Sequence, residues 1–339
     1  FFNWLARMLQ RPEEPGEVAV ILKSKMRGAG KGVLVRYLLK MLGQHCIQIS
    51  DPQHLTGRFN AHLQDCILLF ADESHFAGDR AHQGALQRLI TEPSLAVEKK
   101  FRDVVSCINL LHLIIASNES WVVPIALIGE RRYFVPVIDE SKAGDRSYFN
   151  ALIAQMEHGG TEAMIYDLLA RDIREFDVRD VPSSEGLIEQ KTHSLDSLSK
   201  WWLAVLSRGY LYQSKFGVPL FAEWGQIVST EILWSSYLQW ADATGERWRQ
   251  TREMLGRRLT ELGYQSCRPR GKSVIGEVEV LTSDPRQRGG AYLDKEAVME
   301  ADHQPSYNVG TLRQARDAFI LKTGIVGDLG QSEPGEDDD

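Results

Sequence analysis

From Gly16 to about Ile138, short apolar runs alternate with segments whose apolar residues recur every three or four positions. Val18-Ala19-Val20-Ile21-Leu22, Cys46-Ile47-Gln48-Ile49, Cys66-Ile67-Leu68-Leu69-Phe70, Leu110 to Ala116 and Tyr133 to Ile138 read as strands buried on both faces. Helical periodicity fills the intervals at Lys31 to Leu42, His54 to Leu63, and a segment carrying Leu86, Leu89 and Ile90. This alternation predicts an α/β domain with a mostly parallel sheet. Ahead of it, Trp4, Leu5, Met8 and Leu9 share one helical stripe. The chain opens in that helix without a Met, and it is read as a fragment whose N-terminal portion is missing.

The pattern divides the chain into a core over 1–148, a helical linker or lid over 149–215, and a second unit over 216–283. A helical extension over 284–330 and an acidic tail over 331–339 follow. In the second unit, Ile232 to Ala243 and Arg249 to Leu262 are helical, and Val274 to Val280 alternates like a strand. Helix, helix and strand in that order predict a winged-helix-like domain. The tail carries five acids and no base, a composition that favours disorder. Trp201, Trp202, Trp224, Trp234 and Trp240 read as core residues.

The 339 residues carry a net charge of −7, which excludes a uniformly basic nucleic-acid coat. Apolar runs fall short of a membrane span, and the four cysteines are scattered without metal-site spacing. A reduced, cytosolic compartment fits these features.

Candidate chemistry lies where strands end. Ser24-Lys25-Met26-Arg27-Gly28-Ala29-Gly30-Lys31-Gly32 stands between a strand and a helix. There, backbone N–H groups can cradle phosphate, and Lys31 can reach the β- and γ-phosphates. Lys25 replaces the first glycine of the general phosphate-loop pattern, and Gly32 replaces its hydroxyl residue. An ordinary glycine-rich turn with an exposed lysine is the alternative. The run ending at Phe70 leads into Ala71-Asp72-Glu73, where one carboxylate can hold Mg²⁺ and the next can orient water. Leu113 to Asn118 ends in a neutral polar residue suited to contact water or γ-phosphate. Glu130-Arg131-Arg132 offers an arginine that could act on a neighbouring subunit's nucleotide.

In this order, these elements resemble the superfamily 3 helicase type of AAA+ ATPase, and more narrowly the helicase domain of phage and plasmid primase-polymerase proteins. The resemblance runs from Trp4 to about Trp202. It includes Gly28-Ala29-Gly30-Lys31-Gly32, His54 to Asn60, Leu69 to Glu73, Thr91-Glu92-Pro93, Ala116-Ser117-Asn118 and Glu130-Arg131-Arg132. A glycine after the lysine is familiar in that family. The resemblance implies a homo-oligomeric ring, typically hexameric, that hydrolyses ATP with Mg²⁺ between subunits and moves on single-stranded or forked DNA. It implies nucleotide contacts from Gly28, Ala29, Gly30, Lys31 and Gly32, and a metal ligand in Asp72. It implies catalytic roles for Lys31, Asp72, Glu73, Asn118 and Arg131 or Arg132. It also implies a channel hairpin at Val97 to Arg102, where Lys99, Lys100 and Arg102 surround Phe101. Any primase-polymerase portion would precede Phe1.

Between Arg247 and Lys272 eight bases face two acids. Arg249, Arg252, Arg257, Arg258, Arg268, Arg270 and Lys272 are candidate DNA contacts on a recognition helix and the approach to a wing. Pairing of this basic segment with the acidic tail or with another subunit is the alternative. Two rival functions remain open at this stage. One is a P-loop kinase acting on a small molecule; the other is a DNA-binding protein whose ATP site has decayed.

Overall fold

In the computed structural model the chain divides into two units, Phe1–Ser194 and Leu195–Asp339. The structure describes residues 1–51, 53–57, 59–72, 80–215, 218–222, 224, 226–269, 278–283, 291–294, 304–326 and 329. Glu73, Arg270, Lys272 and the acidic tail lie outside these residues.

The first unit opens with α1 (Phe2–Gln10), which Trp4 Nε1 ties to the Val18 carbonyl at 3.0 Å. Then come β1 (Ala19–Lys23), α2 (Lys31–Leu42), β2 (Cys46–Ile49), α3 (Gln53–Thr56), β3 (Leu68–Asp72) and α4 (Arg80–Thr91). A hairpin of β4 (Ser94–Val97) and β5 (Val105–Ile108) precedes β6 (His112–Ser117) and β7 (Tyr133–Phe134). Three helices close the unit: α5 (Arg146–Gln155), α6 (Thr161–Ala170) and α7 (Glu185–His193).

The main sheet is parallel throughout, in the order β2-β3-β6-β1-β7. Its inner strands feed two apolar cores at once. Ala19, Ile21, Leu69, Ala71, Leu113 and Ile115 pack on one face, while Val20, Leu22, Leu68, Phe70, Ile114 and Ala116 pack on the other. Burial on both faces explains why these strands read as unbroken apolar runs.

Two expected elements are shorter than their periodicity suggests. Over His54 to Leu63 the helix gives way to α3 and a 3₁₀ turn at Ala61–Leu63. The Asn60 side chain instead holds the hairpin, donating to Ala96 O at 2.9 Å and accepting from Glu98 N at 2.8 Å. The strand expected over Tyr133 to Ile138 stops at Phe134 because Pro136 has no N–H to pair; one bridge resumes between Val137 and Lys23.

The second unit begins with α8 (Ser197–Arg208), so the helical stretch 149–215 is shared between the units. A hairpin of β8 (Leu211–Lys215) and β9 (Val218–Ala222) follows, then β10 (Ile227–Ser229), α9 (Thr230–Thr244), α10 (Arg252–Glu261) and β11 (Gln265–Cys267). The strand expected from Val274 is described as β12 (Val278–Ser283). β13 (Ala291–Asp294), β14 (Ser306–Asn308) and α11 (Leu312–Thr323) lie where a helical extension was expected. An antiparallel sheet runs β10-β14-β11, and a second runs β13-β12-β9-β8. Trp201 and Trp202 are fully buried, as their reading as core requires. Their indoles donate to Ser236 Oγ at 3.1 Å and Tyr264 Oη at 2.9 Å.

His112, buried in β6 against Trp4, donates from Nδ1 to the Leu110 carbonyl at 3.1 Å, while its Nε2 has no partner among the described residues. Burial pushes its pKa down to about 4. The unfolded chain protonates this imidazole near its ordinary value of 6.5 and the folded one does not, so stability falls as pH drops from 6.5 towards 4. Thermal melts of wild type should lose on the order of 3 kcal/mol across that window. His112→Phe, which keeps a ring against Trp4, should flatten the acid limb; an unchanged limb would show that the loss originates elsewhere.

Candidate functional site

The parallel register sets the carboxyl ends of three strands side by side. Lys23 of β1 pairs with Ser117 of β6, and Asp72 of β3 pairs with Ala116 of β6. The strand ending in Ser117-Asn118 therefore lies between the one entering the glycine-rich loop and the one ending in Asp72.

The loop turns through Gly28 and Gly30, whose φ angles of 79° and 92° suit glycine. Lys25 is not among the described non-glycine residues with positive φ, so a side chain there carries no such strain. Gly30 caps α2 without a side-chain hydrogen bond. The N-terminal positive end of that helix thus adjoins the loop with no side chain capping it. Lys31, on its first turn, donates to Ser24 Oγ and Asn118 Oδ1, each at 2.5 Å. Ser24 Oγ also donates to Met26 O at 2.9 Å and lies 3.3 Å from Asn118 Oδ1. Lys31 and Asn118 are thus in direct contact. The link through Ser24 was missed in the sequence, where a serine at a strand end has no distinguishing spacing. Gly32 is exposed and a Cβ there would meet nothing within 4 Å, so no close packing demands a glycine. Ala29 is part-exposed on the same loop.

Asp72 is half-buried at the end of β3, with Gln48 Nε2 of β2 donating to Oδ2 at 3.1 Å. A carboxylate, an ammonium and an uncapped helix end are a donor set suited to a phosphate with a divalent cation.

Beyond Asn118, α7 holds the chain tightly. Fully buried Gln190 donates to Ser120 O at 2.6 Å and accepts from Val122 N at 2.7 Å. Lys23, buried at the end of β1, donates to Ser120 O at 3.1 Å and pairs with Glu189 at 2.5 Å. Neither partner was predicted, because both belong to a helix remote in sequence.

The two arginines of Glu130-Arg131-Arg132 part company. The Glu130 side chain is wholly buried and accepts from Arg131 N at 3.0 Å, Arg132 N at 2.8 Å and Arg132 Nη1 at 3.4 Å. Arg131 is exposed, whereas Arg132 is turned onto this carboxylate. Burial, reinforced by Glu130, lifts the Tyr133 phenol above its usual range.

Hairpin β4–β5 carries Lys99, Lys100, Phe101 and Arg102 in its turn, with Phe101 fully exposed at φ 61°. Arg102 N donates to Lys99 O at 3.2 Å, and Lys100 Nζ lies 5.7 Å from the Phe59 ring centre.

In the second unit the basic segment is largely paired. Arg249 lies in the turn before α10, not on it, because Thr251 caps that helix and accepts from Met254 N at 3.4 Å. Its guanidinium bonds Asp242. Arg252 pairs with Glu231 at 2.9 Å, and part-buried Arg258 pairs with Asp196 at 2.5 Å and Glu261 at 2.9 Å. Arg257 and Arg268 are exposed.

A model described as a family of unknown function, DUF5906, matches residues 22–132, from the end of β1 to the arginine pair. The DNA primase-polymerase of Nitratiruptor phage NrS-1 is 31% identical over 137 residues, 40% of this chain and 18% of that protein. The chain therefore spans less than a fifth of that relative. An apo structure of the NrS-1 C-terminal region is 25% identical with a TM-score of 0.51, covering 61% of this chain and 50% of that one. Another, at 18% identity, has a TM-score of 0.58 over 91% of this chain and 70% of that one. The chain is thus homologous to part of a phage DNA primase-polymerase and resembles the fold of its C-terminal region.

Proposed function

We propose that this chain is an ATP-driven DNA helicase module of a phage-type primase-helicase, with an AAA+ core of the superfamily 3 type. The observation that carries this reading is the contact of Lys31 Nζ with Asn118 Oδ1, made where the Asn118 strand separates the loop strand from the Asp72 strand. A lysine, a neutral polar sensor and an acidic strand end converge there from segments far apart in sequence.

On this reading Lys31 exchanges its internal acceptors, Ser24 Oγ, Asn118 Oδ1 and Ser117 O among them, for the β- and γ-phosphates of ATP. Loop N–H groups from Gly28 to Gly32 bind the same anion. Asp72 holds Mg²⁺, which when bound offsets charge on the phosphates. Glu73 takes a proton from the attacking water as the bond to the γ-phosphorus forms and the bond to the ADP oxygen breaks. Asn118, released from Lys31, hydrogen-bonds the γ-phosphate. Arg131 serves the site of the next subunit in a ring. Its exposure supports this choice over Arg132.

Lys99, Lys100 and Arg102 contact the DNA backbone, and Phe101 stacks on a base. An aromatic side chain held fully exposed in a left-handed backbone fits that task. The order β10-β14-β11 with α8, α9 and α10 supports a winged-helix reading of the second unit. Arg257 and Arg268 are its better-placed DNA contacts, since Arg249, Arg252 and Arg258 already serve carboxylates.

Mg²⁺-dependent ATP hydrolysis, measured with and without single-stranded DNA, tests the reading. Wild type should turn over faster with DNA, and Glu73→Gln should reduce turnover by about 100-fold or more. DNA-indifferent turnover would favour a small-molecule kinase, and DNA binding without turnover would favour a decayed site.

The arginines should separate in the same assay. Arg131→Ala should lower turnover by roughly 10²-fold or more while ADP still binds and the melting temperature holds. Arg132→Ala should instead cost about 1–3 kcal/mol of stability by leaving Glu130 buried with fewer partners. Equal losses of turnover at equal stability would reject the assignment.

A further inference from the structure

The segment after β7 lies directly on the glycine-rich loop. Ile138 N donates to Lys23 O at 3.4 Å, so the chain follows β1 to its end. It then turns at Asp139, whose carboxylate accepts from Ser141 N and Ser141 Oγ, each at 2.8 Å. Glu140 Oε1 accepts from two consecutive loop amides, Lys25 N and Met26 N, the latter at 2.8 Å. Further along, Gly144 N lies 3.4 Å from Gly28 O. A Cβ at Gly30 would come within 2.8 Å of the Phe149 ring on α5. Residues 139–149 therefore form a strap that touches the loop at Lys25, Met26, Gly28 and Gly30.

A carboxylate received by two adjacent backbone N–H groups is an anion in an anion-binding turn. It carries the same sign as a phosphate, and it stands at the entry of the loop whose far half adjoins Lys31. Coulombic repulsion across a part-exposed site makes the two anions antagonists.

We propose that Glu140 is a built-in competitor for the phosphate loop, and that nucleotide binding displaces its carboxylate and loosens the strap over residues 139–149. This rests on the nucleotide-site reading above and adds a regulatory element to it. The alternative role, a fastener that shapes the loop, predicts the opposite sign, which makes the two separable.

Calorimetric titration with ADP and Mg²⁺ should compare wild type, Glu140→Gln, Glu140→Ala and Lys31→Ala. Glutamine keeps an acceptor for both amides and removes the charge. The proposal predicts that Glu140→Gln binds ADP about tenfold more tightly than wild type, with Glu140→Ala at least as tight as wild type. Faster amide hydrogen exchange across residues 139–149 should accompany ADP binding to wild type. Unchanged affinity in Glu140→Gln, or weaker binding in Glu140→Ala, would overturn the competitor and leave the nucleotide site standing. If wild type fails to bind ADP, or binds it no better than Lys31→Ala, the phosphate-loop reading fails and the strap proposal with it.

Discussion

Parallel strands buried on both faces leave few places for polar side chains, and the carboxyl edge of the sheet is the main one. β1 and β3 are apolar, and β6 is apolar after the buried His112, until each leaves the sheet at Lys23-Ser24, Asp72 and Ser117-Asn118. Because those strands are neighbours in matched register, their exits converge. The Lys31–Ser24–Asn118 contact is a consequence of that constraint: a cation enters from α2 and meets the polar residues that the sheet excludes. Helix α7 then fixes the other side of the same edge. Gln190 supplies both an acceptor and a donor to the loop that follows Asn118, satisfying the buried Val122 amide.

This same constraint explains what was legible in the sequence. Apolar runs located the strands, because burial on two faces removes alternation. Strand ends marked Asp72 and Asn118 for the same reason. Residues whose roles depend on distant partners were not legible. Ser24, Gln190 and Glu140 have ordinary local contexts, and their significance arises only when β6, α7 and the strap are placed. Asn60 shows a further limit, since its bonds to the hairpin override the helical periodicity around it. The start of α10 is different: Thr251 followed by Glu253 is a readable cap, and the helix begins at Arg252, three residues after the expected Arg249.

Charge counting along the chain also needs its partners. The basic stretch from Arg247 to Lys272 reads as a strong positive segment, yet three of its arginines are held by Asp242, Glu231, Asp196 and Glu261. Acids supplied by α9, the α8 cap and α10 itself neutralise what the linear count isolates. The hairpin tip differs. Phe101 is fully exposed in a costly backbone conformation, and the DNA contact proposed for this turn would account for both.

The proposed role of the strand-end cluster depends on what Lys31 holds when nucleotide is present. An experimental structure with ADP and Mg²⁺ is the most direct measurement. The β-phosphate should lie within hydrogen-bond distance of Lys31 Nζ and the loop amides, with Asn118 Oδ1 no longer bonded to Lys31. Nucleotide bound elsewhere, with Lys31 still on Ser24 and Asn118, would contradict that role.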